Sequence, residues 1–299
     1  MPAGSPALNA QYPKRITDEY LFSPQSEMWR VNRTCTGLIF GPAAVLLQIA
    51  HPRVAQGVAD HSDFQNDALG RLRRTLSTVN RIAFGTLTEA ETMRAHLAEV
   101  HGRVKGRTSK GVVGSRGYSA FEPDLLLWVL ATLIDASIKG YEFVWGPLQS
   151  DRRESFYRDF RLFGSYFGLK ESEGPADYGE FVDYFNDMLV NELLGGHPLC
   201  AEVAAAVVRP RNPVRDRWLG KLVDFVPVEA VPVHIRQRLG LRSTSWTRVR
   251  FKVMRALAPP AFRILPDRLM LYPEAYAAER TLESSDEITQ RRDETTARR

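Results

Sequence analysis

EAETMRAHLAEVHGRVK, residues 89–105, decides the fold class. Ala90, Met93, Leu97, Val100 and Val104 recur three and four residues apart, one stripe of a 3.6-residue helix. Thr88 reads as its N-cap, with Glu89 and Glu91 in the first turn, and Gly106 as its C-cap glycine after Lys105. The same period predicts helices over 43–50, 52–61, 69–84, 123–145, 152–168, 178–194, 199–208, 214–225, 232–239, 244–257 and 273–281. No run alternates with period two between hairpin turns, so the expected fold class is all-α, a single multi-helix domain around one core. Residues 106–117, GRTSKGVVGSRG, read as a surface loop. The expected division is an N-terminal extension over 1–30, the domain over 31–280 and a disordered polar tail over 281–299, where apolar spacing stops.

A chain of 299 residues, 44% hydrophobic and 25% charged, is not a disordered, collagenous or coiled-coil sequence. Its two cysteines, Cys35 and Cys200, belong to no CxxC or Cys/His cluster, which argues against a disulfide scaffold and a zinc ribbon and fits a reducing compartment. The N-terminus MPAGSPALNAQYPKR lacks the apolar core of a secretory signal, so the expected location is cytoplasmic. The most apolar run, Leu125 to Ile134, is half the length of a membrane span.

The formal net charge is +5, yet Arg209 to Arg263 holds thirteen Lys/Arg against three Asp/Glu, which leaves the remainder of the chain net acidic. Within that segment Trp246, Val249, Val253 and Leu257 share one helical face, with Arg248, Lys252 and Arg255 elsewhere on the helix. Such a helix either meets a membrane peripherally or docks on the core with its cations in water. No nucleic-acid-reading motif is present, so no nucleic acid is expected as a partner.

There is no HExxH, no di-iron ExxH pair, no GxSxG, no Walker A and no GxGxxG after a strand. What stands out is His101, which projects beside the stripe of residues 89–105 while His96 does not. A buried imidazole is held neutral, the state that ligates iron; it is equally the state of a core histidine satisfied by a hydrogen bond. On residues 69–84, Leu72, Leu76, Val79 and Ala83 form the apolar face, and Arg71, Arg74, Thr75 and Thr78 gather on the opposite one. That cationic face is either solvated or meets an anionic partner such as a carboxylate or propionate pair. His51 precedes Pro52, is biased out of the α-region, and can cap the helix that follows. His61 and Asp63 form an HxD pair at a helix end, where helix termination is the plainer role than iron ligation.

The runs GLIFGPAAVLLQIAHPRVAQGVADHSDF, RLRRT, FG, EVHGRVKG, YSAFEPDLLLWVLATL, PVHIRQRLGL and LPDRLMLYPEAYAAER follow one another between residues 37 and 280. In this order and spacing they resemble the oxygenase domain shared by bacterial latex clearing proteins and the fungal oxygenase that shortens the farnesyl chain in mycophenolic acid biosynthesis. The resemblance implies an all-α fold enclosing a non-covalent haem b, with His101, the histidine of EVHGRVKG, as proximal iron ligand. It implies that Arg71, Arg74 and Thr75 lie on the distal side, where the rubber enzymes carry Arg-x-x-Lys-Thr. Arg74 replaces the lysine, and a guanidinium, never deprotonated, cannot ligate as an amine can. Asp60 is the nearest counterpart of the distal carboxylate thought to act as base. Leu130 stands where many relatives carry histidine, and the missing secretion signal favours a diffusible apolar substrate over polyisoprene. The implied function is O2-dependent oxygenation of an apolar, alkene-type small molecule, the alternative being a non-catalytic haem-binding or sensor protein of the same fold. Pocket walls are expected from Leu125 to Ile134, with Trp128, and from Phe156, Phe160, Phe163 and Phe167.

Overall fold

The computed structural model describes residues 19–62, 68–108, 117–190, 194, 196–208 and 225–284. Helices dominate: α1 Glu27–Asn32, α2 Gly37–Ala50, α3 Pro52–His61, α4 Ala68–Phe84, α5 Leu87–Arg103, α6 Pro123–Trp145, α7 Ser150–Ser165, α8 Tyr178–Val190, α9 Pro198–Val208, α10 Val226–Ala230, α11 Val233–Arg238, α12 Ser245–Ile264 and α13 Asp267–Met270. A last helix, α14, covers 273–284. The fold is all-α. Among the described residues no single helix is long and apolar enough to cross a membrane.

Helix α2, GLIFGPAAVLLQIA, is apolar on every side, and such a helix must be wrapped by others. It packs against α6, α9, α10 and α3. At the N-cap of α2 the approach to α6 is close at Gly140, where a Cβ would stand 3.0 Å from Thr36 Oγ1 and 3.2 Å from Thr36 Cβ. The helix begins at Gly37 rather than at the predicted 43, because burial of Phe40 and its neighbours outweighs Gly41 and the missing N–H of Pro42. At His51 the backbone leaves the α-region (φ −77°, ψ 119°), as the following proline requires, and α3 departs at 108° to α2. The His51 ring accepts the Arg53 N–H at 3.3 Å and so caps α3.

Helix α5 starts earlier than predicted. Thr86, not Thr88, is the N-cap: its Oγ1 accepts the Glu89 N–H at 3.3 Å while Glu89 Oε2 accepts the Thr86 N–H at 2.8 Å, a reciprocal capping box. It also ends earlier, at Arg103, with Val104 as C-cap. Gly106 therefore caps nothing. It lies in β1, Lys105–Arg107, which pairs antiparallel with β2, Gly117–Ser119, so the ends of the predicted surface loop form a short ribbon. Residues 109–116, between the strands, lie outside the described residues, as do the predicted helix 214–225 up to residue 224 and the polar tail beyond 284.

Tyr20, Leu21, Phe22, Met28 and Trp29, from the stretch expected to be an N-terminal extension, are buried in the main core. Met28 N–H donates to Asp159 Oδ2 at 3.0 Å, and Arg152 of α7 donates to Glu27 Oε2 at 2.8 Å, fixing α1 to α7. The C-terminal end closes on the same helix: Trp29 Nε1–H donates to Glu279 Oε1 at 2.7 Å, and Arg33 pairs with the same oxygen at 3.0 Å.

Candidate functional site

On α5 the predicted stripe is only partly covered: Ala90 is fully buried, Met93, Leu97 and Val104 are half-buried, and Val100 is 40% exposed. His96 is exposed. His101 is half-buried, with Nδ1 wholly enclosed and without a hydrogen-bond partner. Burial holds its pKa below the ordinary value, so the ring is neutral near neutral pH. Phe121 meets the ring edge-on, with centroids 6.1 Å apart, and is itself 45% exposed. An enclosed imidazole nitrogen in apolar company is a costly arrangement unless it takes a partner, on the order of 1–3 kcal/mol for an unsatisfied polar group.

Helix α4 packs alongside α5 and carries the arginine cluster. Arg74 and Thr75 are exposed. The Arg71 side chain lies outside the described residues. Thr75 also lines a cavity of about 140 Å3 bounded by α1, α2, α4, α6 and Tyr272. The wall is largely apolar, with Val31, Val45, Leu76, Val79, Leu133 and Phe160 among its residues. An engineered apolar cavity on the order of 150 Å3 takes up benzene, so this one accommodates an apolar fragment of about six carbons.

Thr75 therefore belongs to the edge between the two faces of α4 and not to the face opposite Leu76 and Val79, because Val79 is one turn above it. The expected walls line this cavity in part, through Leu133 and Phe160. Leu133 of α6 lines the cavity, whereas Trp128 faces elsewhere, stacked on Phe185 at 5.7 Å and donating Nε1–H to Leu47 O at 3.1 Å. Of the four phenylalanines only Phe160 reaches it; Phe156 and Phe163 are fully buried in the core.

Asp60 is placed at the end of α3, away from the cavity lining. Its Oδ2 accepts the Tyr118 hydroxyl at 2.5 Å and its Oδ1 accepts Gln56 Nε2 at 2.9 Å, while His61 Nε2 lies 3.1 Å from the same hydroxyl. This cluster ties β2 to α3. Asp60 pushes the Tyr118 pKa up, second to burial. Asp63 lies outside the described residues, and among the described residues no three His, Cys, Asp or Glu side chains gather to hold a metal ion.

Polar residues that the sequence did not single out line the cavity as well. Gln48 donates to Thr132 Oγ1 at 3.0 Å, Asn80 donates to Glu274 Oε2 at 3.3 Å, and the Tyr272 hydroxyl is buried against the backbone at Leu38. A Cβ at Gly37 would collide with that hydroxyl, so glycine is what admits Tyr272. Its only signal in the sequence is its place in LPDRLMLYPEAY, where nothing local distinguishes it from a core tyrosine.

Residues 29–259, which include α4, α5 and most of the cavity wall, match the family described as ER-bound oxygenase mpaB/B′/rubber oxygenase, catalytic domain. The chain belongs to this family. An uncharacterized protein of Mycobacterium tuberculosis and one of Mycobacterium bovis are each 29% identical to it over 153 residues, half of this chain. The match covers 58% of either relative. No solved structure matches the chain. Within the mpaB/rubber oxygenase domain, Thr75 of α4 lines the apolar cavity, whereas His101 of α5 is not among the residues that line it.

Proposed function

We propose that this chain is a haem b-dependent oxygenase that acts with O2 on an apolar, alkene-type small molecule. The observation that carries the proposal is the half-buried His101 imidazole, held neutral, whose Nδ1 has no hydrogen-bond partner among the described residues. Such a ring is suited to iron, and Phe121 beside it supplies apolar contact of the kind that a porphyrin face needs. Membership of an oxygenase family supports the same reading.

When bound, the haem would supply the activation of O2. The chain would contribute the rest. His101 would hold the iron from α5. Arg71 and Arg74 on α4 would meet the propionates. The Thr75 hydroxyl, at the edge of the cavity, would orient the reacting oxygen by donating a hydrogen bond. Val45, Leu76, Val79, Leu133 and Phe160 would seat the apolar substrate and exclude water. Asp60 was expected to serve as base, but both of its oxygens already accept hydrogen bonds from Tyr118 and Gln56, which favours an anchoring role.

Reconstitution with haemin tests this. Wild type and His96→Ala should bind stoichiometric haem b with a Soret band, and His101→Ala should not; equal haem content in wild type and His101→Ala would sink the assignment. Thr75→Ala should keep its haem but alter ferrous CO and O2 binding. Haem binding without alkene-dependent O2 consumption by the reduced protein would assign a haem-binding role without oxygenation.

A further inference from the structure

Among the described residues, the face of α12 left uncovered is not the one that a docked helix would leave. Phe251 and Phe262 are half-buried, Ala258 is buried, and together with Met254 they pack on a second apolar cluster built around Phe40, Phe143 and Phe225. Arg250 stacks on the Phe225 ring, its guanidinium carbon 4.3 Å from the centroid. Trp246 (68% exposed), Val249, Val253, Leu257 (61%) and Ile264 (84%) face outward instead. At 100° per residue these five lie within an arc of about 80°. Beside that arc, and exposed too, are Arg248, Lys252, Arg255 and Arg263. The helix carries five cations and no acid. Along the exposed stripe runs an apolar groove of about 590 Å3, lined by Ile39, Phe143 and Phe225 of the body and, on α12, by Trp246, Val249, Val253 and Leu257 of that same stripe as well as by the packed residues.

We propose that α12 is an interfacial anchor that docks the folded protein on an anionic lipid bilayer. The occupant follows from the chemistry. A core-facing helix hides its apolar stripe, whereas this one hides a different stripe and presents a second to water, on a helix with cations and no acid. Anionic headgroups match the cation strip, and acyl chains match Trp246, Val253, Leu257 and Ile264. A protein partner of this chain would have to be both apolar and acidic over the same narrow strip; a bilayer with anionic lipid is both by construction. Docking would hold the protein where apolar small molecules dissolve, but the inference rests on α12 alone and not on the haem reading.

The full chain should co-sediment at low salt with phosphatidylcholine vesicles that contain phosphatidylglycerol and remain in solution with phosphatidylcholine alone. Binding should weaken by about fivefold for each cation removed in Arg248→Gln, Lys252→Gln and Arg255→Gln. It should be lost in about 1 M salt, where the Debye length shrinks to about 3 Å. Val253→Glu combined with Leu257→Glu should abolish it. Both positions are exposed, so the double variant should keep the wild-type circular dichroism and melting temperature. Anionic vesicles should blue-shift the wild-type tryptophan emission but not that of Trp246→Phe. Absence of binding at low salt, or equal binding to neutral vesicles, overturns the proposal. So does a wild-type dimer that dissociates in the double variant, which would give the face to a second copy. A Trp246 shielded from acrylamide without lipid would mean that the chain covers its own face, and overturns it likewise.

Discussion

His51 is buried, precedes a proline, and uses its ring nitrogen to cap α3, so it must stay neutral to do so. Burial, with the Arg53 charge adding to it, pulls its pKa down to about 4 from an ordinary 6.5. Between those values the unfolded chain holds a proton that the folded chain rejects. Its contribution to stability is therefore complete above pH 6.5 and is lost as the pH falls toward 4. The loss is about 3 kcal/mol, the shift converted at about 1.4 kcal/mol per unit. Chemical denaturation of wild type and His51→Asn at pH 7 and pH 4 should show the wild type losing about that much more, since asparagine keeps an N-cap acceptor without a titrating ring. The capping role was legible from the His-Pro pair alone. The enclosure of His101 Nδ1 was not, because helical spacing says which way a side chain points but not what waits there.

Among the elements, α5 shows how two adjacent cap signals compete. Thr86-Leu-Thr88-Glu89 offers a threonine directly before the acids and another three residues before Glu89. Only the second spacing lets the glutamate reach back to the cap N–H, and the structure uses it. Thr86→Ala should cost about 1 kcal/mol of stability and Thr88→Ala a few tenths at most, read as midpoint shifts in urea at unchanged slope. In α12 the helix continues through Pro259 and Pro260 to Ile264, past the predicted end at 257. Each proline fixes a helical φ, and the carbonyls left without donors belong to Arg255 and Ala256, both exposed, where water can satisfy them.

On the scale of the whole molecule, the two ends of the described chain close on each other through α1. Trp29 is fully buried, packs edge-on against Phe84 at 5.1 Å between centroids, and gives its indole N–H to Glu279 of α14. The backbone adds Tyr272 N–H to Arg33 O at 2.9 Å and Cys35 N–H to Met270 O at 2.9 Å. Glu279→Ala leaves a buried indole donor without an acceptor and should lower stability by about 1–3 kcal/mol. Glu279→Gln keeps the acceptor and should lower it less. Thermal melts of the two variants against wild type check the order, and equal losses would mean that the charge pairing with Arg33, not the indole bond, holds the ends together.

Periodicity alone was enough for the class of fold, for most helix spans and for the direction of His101, because the 3.6-residue repeat is a local property that survives in any packing. The family resemblance, too, was carried by runs of residues in order. What only the tertiary structure decided is which of several qualified faces gets covered. Helix α12 has two apolar stripes at the same spacing, Trp246, Val249, Val253 and Leu257 on one side and Phe251, Met254, Ala258 and Phe262 on the other. Nothing local ranks them. The choice was made by Phe143 and Phe225, distant in sequence, whose rings offer a surface that the second stripe fits. The cavity is undecidable from sequence for the same reason: Thr75, Gln48 and Tyr272 become neighbours only when α2, α4 and the C-terminal segment pack, since burial belongs to pairs of surfaces and not to one strand of letters.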